Sequence, residues 1–290
     1  MKEDCDENFD SLPPDMTNAI PVTLSIAGSD CSAGAGIQAD LKTFQYFRVY
    51  GLTAITCVVS ETANLVRAVH PVPVAILRDQ ISLLLESFPV AAIKTGMLHS
   101  TAHVCAVAEI LRAYPQIPKV VDPVMIASSG SPLLETEAID AYRELLLPLA
   151  HLITPNLPEA ETLLGEHIAD APAFESAAHR LSEQFGTAIL LKGGHLDGPN
   201  CIDLLVDQNQ AHHFTAPRIA ISGSHGTGCT LSAAIVAALA LGASLPRSVA
   251  IAKNYLSETL SCSLEFQTSG GTNICALNQA TTFSQTSALS

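Results

Sequence analysis

The chain has 290 residues, 48% of them hydrophobic and 14% charged, with a mean hydropathy of +0.32; this is too apolar for a disordered chain and long enough for a sizeable buried core. Its 14 Lys and Arg stand against 28 Asp and Glu, a net charge of −14 with the histidines neutral. That balance repels polyphosphate backbones and argues against a nucleic-acid binder, while backbone amides and a metal ion can still hold small anions locally.

In chain order, residues 1–20 start as MKEDCDENFD and lack the basic and apolar parts of a secretory signal. They read as a flexible acidic arm. Residues 21–266 are expected to form a single domain, followed by a polar tail over 267–290. Apolar, β-branched runs at 22–27, 53–59, 91–95, 119–122, 151–154 and 187–192 predict strands. Amphipathic helices are expected between them, at 75–87, 101–113 and 173–185. Runs apolar on both faces, alternating with helices, predict a mostly parallel sheet covered on both sides. Near 201–216, IDLLV and HHFTA straddle DQNQ and suggest a hairpin, and a long Ala-rich helix follows Gly228. The most apolar stretch, 231–241, is too short for the roughly 20 residues a membrane span needs. The eight cysteines show neither CxxC nor a Cys/His metal spacing, which suggests free thiols in a reducing cytoplasm.

Two glycine patterns mislead. Gly34 to Ala39 fits GxGxxA, but SDCSA separates it from the preceding strand, whereas a dinucleotide fingerprint needs its glycines in the turn directly after that strand. The better reading is a loop, GSDCSAGAG, whose backbone can approach a small ligand closely, or a connection without function. Gly223 to Thr230 has P-loop spacing, but Cys229 stands where the lysine belongs. What survives is an anion cradle: Gly226, Thr227, Gly228 and Cys229 open directly into a helix, where free N–H groups and the helix dipole favour negative charge. At a first helical turn a thiol's pKa is expected to fall, so Cys229 can serve as a general base; the alternatives are an inert small hydrophobe and, third, a covalent thiol hydrolase, for which no Cys/His pairing is readable although His225 lies nearby.

Asn156 and Glu159 sit three apart around another helix start, with Pro158 in its first turn. They suit a hydrated magnesium ion, or form a plain capping box. Unusual residues end the predicted strands: Gly28, Glu61, Lys94, Asp122, Asn156 and Lys192. Open α/β sheets bind ligands at such ends, where Asp122 and Lys192 can supply one anion and one cation.

Six segments, IAGSDCSAGAGIQADLKTF, KTGML, VVDPVM, LITPNLPEA, LLKGGH and HGTGCTLSAA, occur in one order from about Val22 to Glu265. In these the chain resembles the ribokinase-like superfamily, and most closely the hydroxymethylpyrimidine/phosphomethylpyrimidine kinases of thiamine biosynthesis. The resemblance implies a three-layer α/β/α fold and transfer of the ATP γ-phosphoryl group to a hydroxymethylpyrimidine, then to its monophosphate. Pyridoxal kinases of the same superfamily are the alternative, and a non-catalytic pyrimidine sensor a third. The resemblance implies an anion hole at Gly226–Cys229 with Cys229 as base, magnesium at Asn156, Glu159 and Asp122, and nucleotide phosphates at Thr154, Asn156 and Lys192. Implied substrate positions are Gly28, Asp40, Val59, Met97 and Val124, in a protein that is commonly a homodimer. One position departs from the pattern: Glu61 stands where these kinases usually place Gln. An ionised carboxylate only accepts hydrogen bonds, so it pairs best with two donors.

Overall fold

The computed structural model describes residues 20–125, 133–135, 137–195, 198–220, 223, 225–267 and 273–280. Apart from Ile20, the acidic arm lies outside the described residues, as do 268–272 and 281–290 of the polar tail. Nine strands form one sheet: β1 (Val22–Asp30), β2 (Tyr50–Thr62), β3 (Leu65–Pro71), β4 (Val90–Thr95), β5 (Lys119–Val121), β6 (Leu152–Ile153), β7 (Ala188–Leu191), β8 (Asn200–Asp207) and β9 (Gln210–Pro217). Their order is β3-β2-β1-β4-β5-β6-β7-β8-β9. The run from β2 to β7 is parallel. β3, β8 and β9 join through antiparallel pairings.

The helices are α1 (Gly36–Tyr46), α2 (Val74–Ser87), α3 (Thr101–Arg112), α4 (Ala138–Ala141, continuing into a π turn), α5 (Leu157–Leu164), α6 (Ala171–Phe185), α7 (Thr227–Ala240) and α8 (Leu245–Ser261). Successive strand residues face opposite ways, and the core divides accordingly. Ile93, Val121, Ile153 and Leu191 pack with α2 to α6. Their neighbours Ala92, Val120, Leu152 and Leu190 pack with α1, α7 and α8. The result is the three-layer α/β/α arrangement, with the central strands β1 and β4 to β7 buried on both faces. Apolar runs without alternation are what such a position demands.

The six expected strands are present with ends shifted by a few residues. The hairpin is present as β8 and β9, joined by Gln208 and Asn209, both at positive φ; two-residue hairpin loops favour that conformation. β3 was not expected. Its residues are exposed or half-buried, so no core face imprinted a period on the sequence. The polar tail also differs from expectation. A small antiparallel pair, β10 (Leu264–Gln267) and β11 (Asn273–Ala276), precedes buried Leu277 and Gln279. The Tyr255 hydroxyl donates to the Gln279 carbonyl at 2.9 Å, and the Gln279 amide donates to Thr230 Oγ1 at 3.4 Å. Residues 273–280 therefore pack on α7 and α8.

From β1 the chain moves to β2 on one side, while β4 lies on the other. That reversal of strand order opens a crevice beyond the carboxyl ends of the strands. Among the described residues, no helix is long and apolar enough to cross a membrane, and the seven described cysteines are free thiols.

Candidate active site

A cavity of about 1160 Å³ lies over those strand ends. Gly28, Val59, Glu61, Met97 and Val124 line one wall; Asp122, Asn156, Glu159 and Lys192 line the other; Gly226 to Cys229 lie at the same cavity. Two expected residues sit behind the lining. The Asp40 carboxylate is fully buried, 2.7 and 2.9 Å from the Lys94 ammonium, and accepts the Ser25 hydroxyl at 2.5 Å. Thr154 is buried beneath Asp122, to which its hydroxyl donates at 3.1 Å.

The first wall is apolar. Val59, Met97, Cys57 and Leu133 form one small cluster, with Val124 packed against it. Its charged member is Glu61. Burial pushes the Glu61 carboxyl up to about 6, Asp30 adds to the rise and His225 opposes it. Asp30 itself organises the loop after β1: it accepts the N–H groups of Ser32, Gly34 and Ala35 at 2.7, 3.0 and 2.8 Å, and the Ser32 hydroxyl at 3.0 Å. Burial alone would raise its pKa, but His225 and those N–H groups hold it below the usual carboxylate value.

The second wall is a charge network. The Lys192 ammonium lies 2.9 Å from Asp122 Oδ1 and 3.9 Å from Glu159 Oε2, and Ser232 donates to Asp122 Oδ2 at 3.3 Å. Burial would lower the Lys192 pKa, but Asp122 and Glu159 outweigh it and raise it. Burial would likewise raise Asp122, yet Lys192 and Lys94 hold it low. Glu159 is pushed up to about 7 by burial, with Asp122 adding and Lys192 opposing. Asn156 and Glu159 form the capping box that their spacing also permits: Asn156 Oδ1 accepts the Glu159 N–H at 2.9 Å, and Glu159 Oε2 accepts the Asn156 N–H at 2.8 Å.

Between the walls, α7 begins at Gly226, whose φ of +81° is a left-handed conformation that favours glycine. A Cβ there would also collide with the Gly34 carbonyl. A Cβ on Gly228 would lie 3.3 Å from Lys192 Nζ and 3.4 Å from Asp122 Oδ2, so the helix start abuts the charge network. Cys229 departs from the expectation of a lowered pKa. Burial pushes its thiol up to about 11, and Asp40 and Asp122 add to the rise against Lys94 and the Gly36 N–H. The helix start does favour a thiolate, but the loss of solvent, with the two carboxylates adding to it, outweighs it.

Sequence reasoning left Asp30 and His225 without roles. The signal for Asp30 was an acidic residue ending a strand before a Gly/Ser loop, a pattern that ties side-chain oxygen to the N–H groups that follow. No local signal joins it to His225, 195 positions away.

Residues 30–273 match the phosphomethylpyrimidine kinase family. The chain is 43% identical over 266 residues to a hydroxymethylpyrimidine/phosphomethylpyrimidine kinase of Haemophilus influenzae, covering 89% of this chain and 97% of that one. It is 42% identical over 237 residues to the thiamine biosynthesis bifunctional protein ThiED of Geobacter sulfurreducens, a match covering 82% of this chain and about half (48%) of that protein's length. Among solved structures, it resembles the pyridoxal kinase from Staphylococcus aureus in complex with AMP-PCP, with a TM-score of 0.82 at 32% identity, over 91% and 95% of the two chains.

Proposed function

The chain belongs to the phosphomethylpyrimidine kinase family, and we propose that it phosphorylates 4-amino-5-hydroxymethyl-2-methylpyrimidine with ATP, then phosphorylates the resulting monophosphate. The observation that carries this reading is the α7 start, which opens onto Lys192, Asp122 and Glu159 and shares its cavity with an apolar wall bearing Glu61. The apolar wall suits the face of a heteroaromatic ring, and the Glu61 carboxyl suits its polar edge. With a pKa near 6, that carboxyl can be held protonated by a ring acceptor, offering one donor and one acceptor.

The nucleotide's phosphates lie along Lys192 and the N–H groups of the α7 start. In the first transfer the substrate's alcohol oxygen forms a bond to the γ-phosphorus as the bond from that phosphorus to the β–γ bridging oxygen breaks. ADP leaves, and the hydroxyl proton passes to the Cys229 thiolate. The cradle's N–H groups and Lys192 stabilise charge on the transferring group, whose transition state is loose and asks chiefly for positioning. In the second transfer the acceptor is a phosphate oxygen. A phosphomonoester, with its second pKa near ~6, is already mostly deprotonated at neutral pH, so that step needs no base.

Magnesium fits the second wall. Asp122 and Glu159 are two buried carboxylates whose charges oppose each other, and a hydrated magnesium ion takes one or two carboxylates and retains its waters. These residues would hold it, and it would neutralise phosphate charge.

Incubation with ATP and the pyrimidine alcohol is expected to yield ADP, the monophosphate and then the diphosphate. Pyridoxal is the competing acceptor, favoured by the close structural likeness to a pyridoxal kinase. Turnover of pyridoxal without turnover of the pyrimidine would reverse the assignment. Tight pyrimidine binding with no ATP consumption would instead favour a sensor.

A further inference from the structure

We infer that Asp30 and His225 are positioning residues, whose contact locks the loop after β1 to the loop that opens α7 and so holds the ring-binding wall in register with the phosphate cradle. The inference rests on the phosphoryl-transfer reading above. The Asp30 side chain is 1% exposed, and its oxygens already accept N–H groups from their own loop. Its partner from the distant α7 loop is His225 Nε2, at 2.9 Å. The loop's own N–H groups and His225 together hold the carboxylate ionised, but the histidine bond comes from outside that loop. What it adds is a tie between two loops.

The seam has two further points. His225 packs so closely on Gly34 that a Cβ there would lie 2.6 Å from the ring carbon Cδ2. Gly226 in turn meets the Gly34 carbonyl, which leaves no space for a side chain. Gly34 is followed by Ala35 and by Gly36, the first residue of α1, both of which line the cavity. His225 is followed by the residues that form the cradle. A shift at the seam therefore moves the alcohol relative to the phosphate. Reacting atoms must meet at about 3–3.5 Å, and a displacement near ~1 Å can slow transfer about 100-fold.

The test compares His225→Ala, His225→Gln and Gly34→Ala. Gln can place an amide N–H where Nε2 lies. Gly34→Ala removes no polar group but wedges the ring from the other side, at a backbone position without positive φ. The readouts are kcat, both KM values and the ratio of ADP formed to phosphoryl groups transferred to the pyrimidine, with kcat corrected for folded fraction. His225→Ala is expected to lower kcat about 10- to 100-fold with smaller changes in KM. It should also raise the ADP-to-product ratio above one, because water reaches a phosphoryl group whose proper acceptor is misplaced. His225→Gln should stay near wild type, and Gly34→Ala should uncouple as His225→Ala does. If His225→Ala does not fold, Gly34→Ala and His225→Gln decide the matter alone. A ratio of one in every folded variant, with kcat unchanged or reduced only in proportion to folded fraction, overturns the inference. A wild-type protein with no acceptor-dependent ATP turnover defeats the phosphoryl-transfer reading itself, an outcome distinct from failure of the seam.

Discussion

The wall formed by Val59, Met97 and Val124 presents methyl groups and sulfur around a single carboxyl, whereas on the other wall the Lys192 ammonium lies within 4 Å of both the Asp122 and the Glu159 carboxylates. Both stand at the strand ends of the same sheet, and both are largely removed from solvent. The charged wall stays buried because each charge has a partner; removing one leaves its neighbours uncompensated. The apolar wall has no such network, so its one carboxyl responds to burial by moving towards its neutral form. On the proposed function, one side would manage anions and the other shape and hydrogen-bond pattern, with Cys229 at the same cavity to take the alcohol's proton.

The sharpest way to break this division is Cys229→Ala. The first transfer is expected to lose about 10²- to 10⁴-fold in rate, the range for a positioned base. The second transfer, onto an acceptor that is already an anion, should be spared to within about 10-fold. Product analysis starting separately from the alcohol and from the monophosphate measures both. Equal losses in the two would mean that the sulfur shapes the cradle rather than handling a proton. Cys229→Asp should recover part of the first activity.

Lys192→Met attacks the charged wall and should slow both transfers together, by about 10²–10³. Asp122 and Glu159 would then face each other without their shared cation, so weaker nucleotide binding and a lower unfolding temperature should accompany the loss. Calorimetry and nucleotide titration check this; an effect confined to the pyrimidine KM would contradict the division.

Glu61→Gln tests the apolar wall and should mainly change the pyrimidine KM, by about 10-fold or less, with kcat little altered. It also carries a stability signature. The folded-state pKa of Glu61 is raised from the usual 4.5 to about 6, so the folded form binds this proton more tightly than the unfolded chain. That contribution is fully present below about 4.5 and is lost as pH rises through about 6. The unfolding temperature of Glu61→Gln relative to wild type should therefore climb between pH 4.5 and 7 and level off above. Because the side chain is partly exposed, the change should be small, about 2–4 °C.

The residues that were legible in the sequence share one property: their signal is local. Val120 and Val121, or Leu152 and Ile153, announce strands buried on both faces because neither face tolerates a polar side chain. Lys192 and Asp122 stood out as charges ending such runs. β3 left little trace because most of its side chains are exposed and only Val66 and Val69 reach the small apolar cluster beside Val59 and Met97. Asn156 and Glu159 were ambiguous, since a capping box and a pair of magnesium-binding oxygens use the same spacing; the hydrogen bonds show the box. The sign of the Cys229 shift was missed because its main cause is burial by parts of the fold remote in sequence, and the carboxylates that add to it come from α1 and from the end of β5. The Asp30–His225 contact escaped for the same reason.

The most direct test of proton handling at the junction is the pH dependence of kcat/KM for each transfer, since that quantity reports groups of the free enzyme. With the Cys229 thiol raised to about 11, the first transfer should accelerate about tenfold per pH unit from pH 7 to 10, and the slope should vanish in Cys229→Ala. The second transfer should stay nearly flat over that range. Parallel profiles for the two transfers, or a slope that persists without the sulfur, would contradict the account.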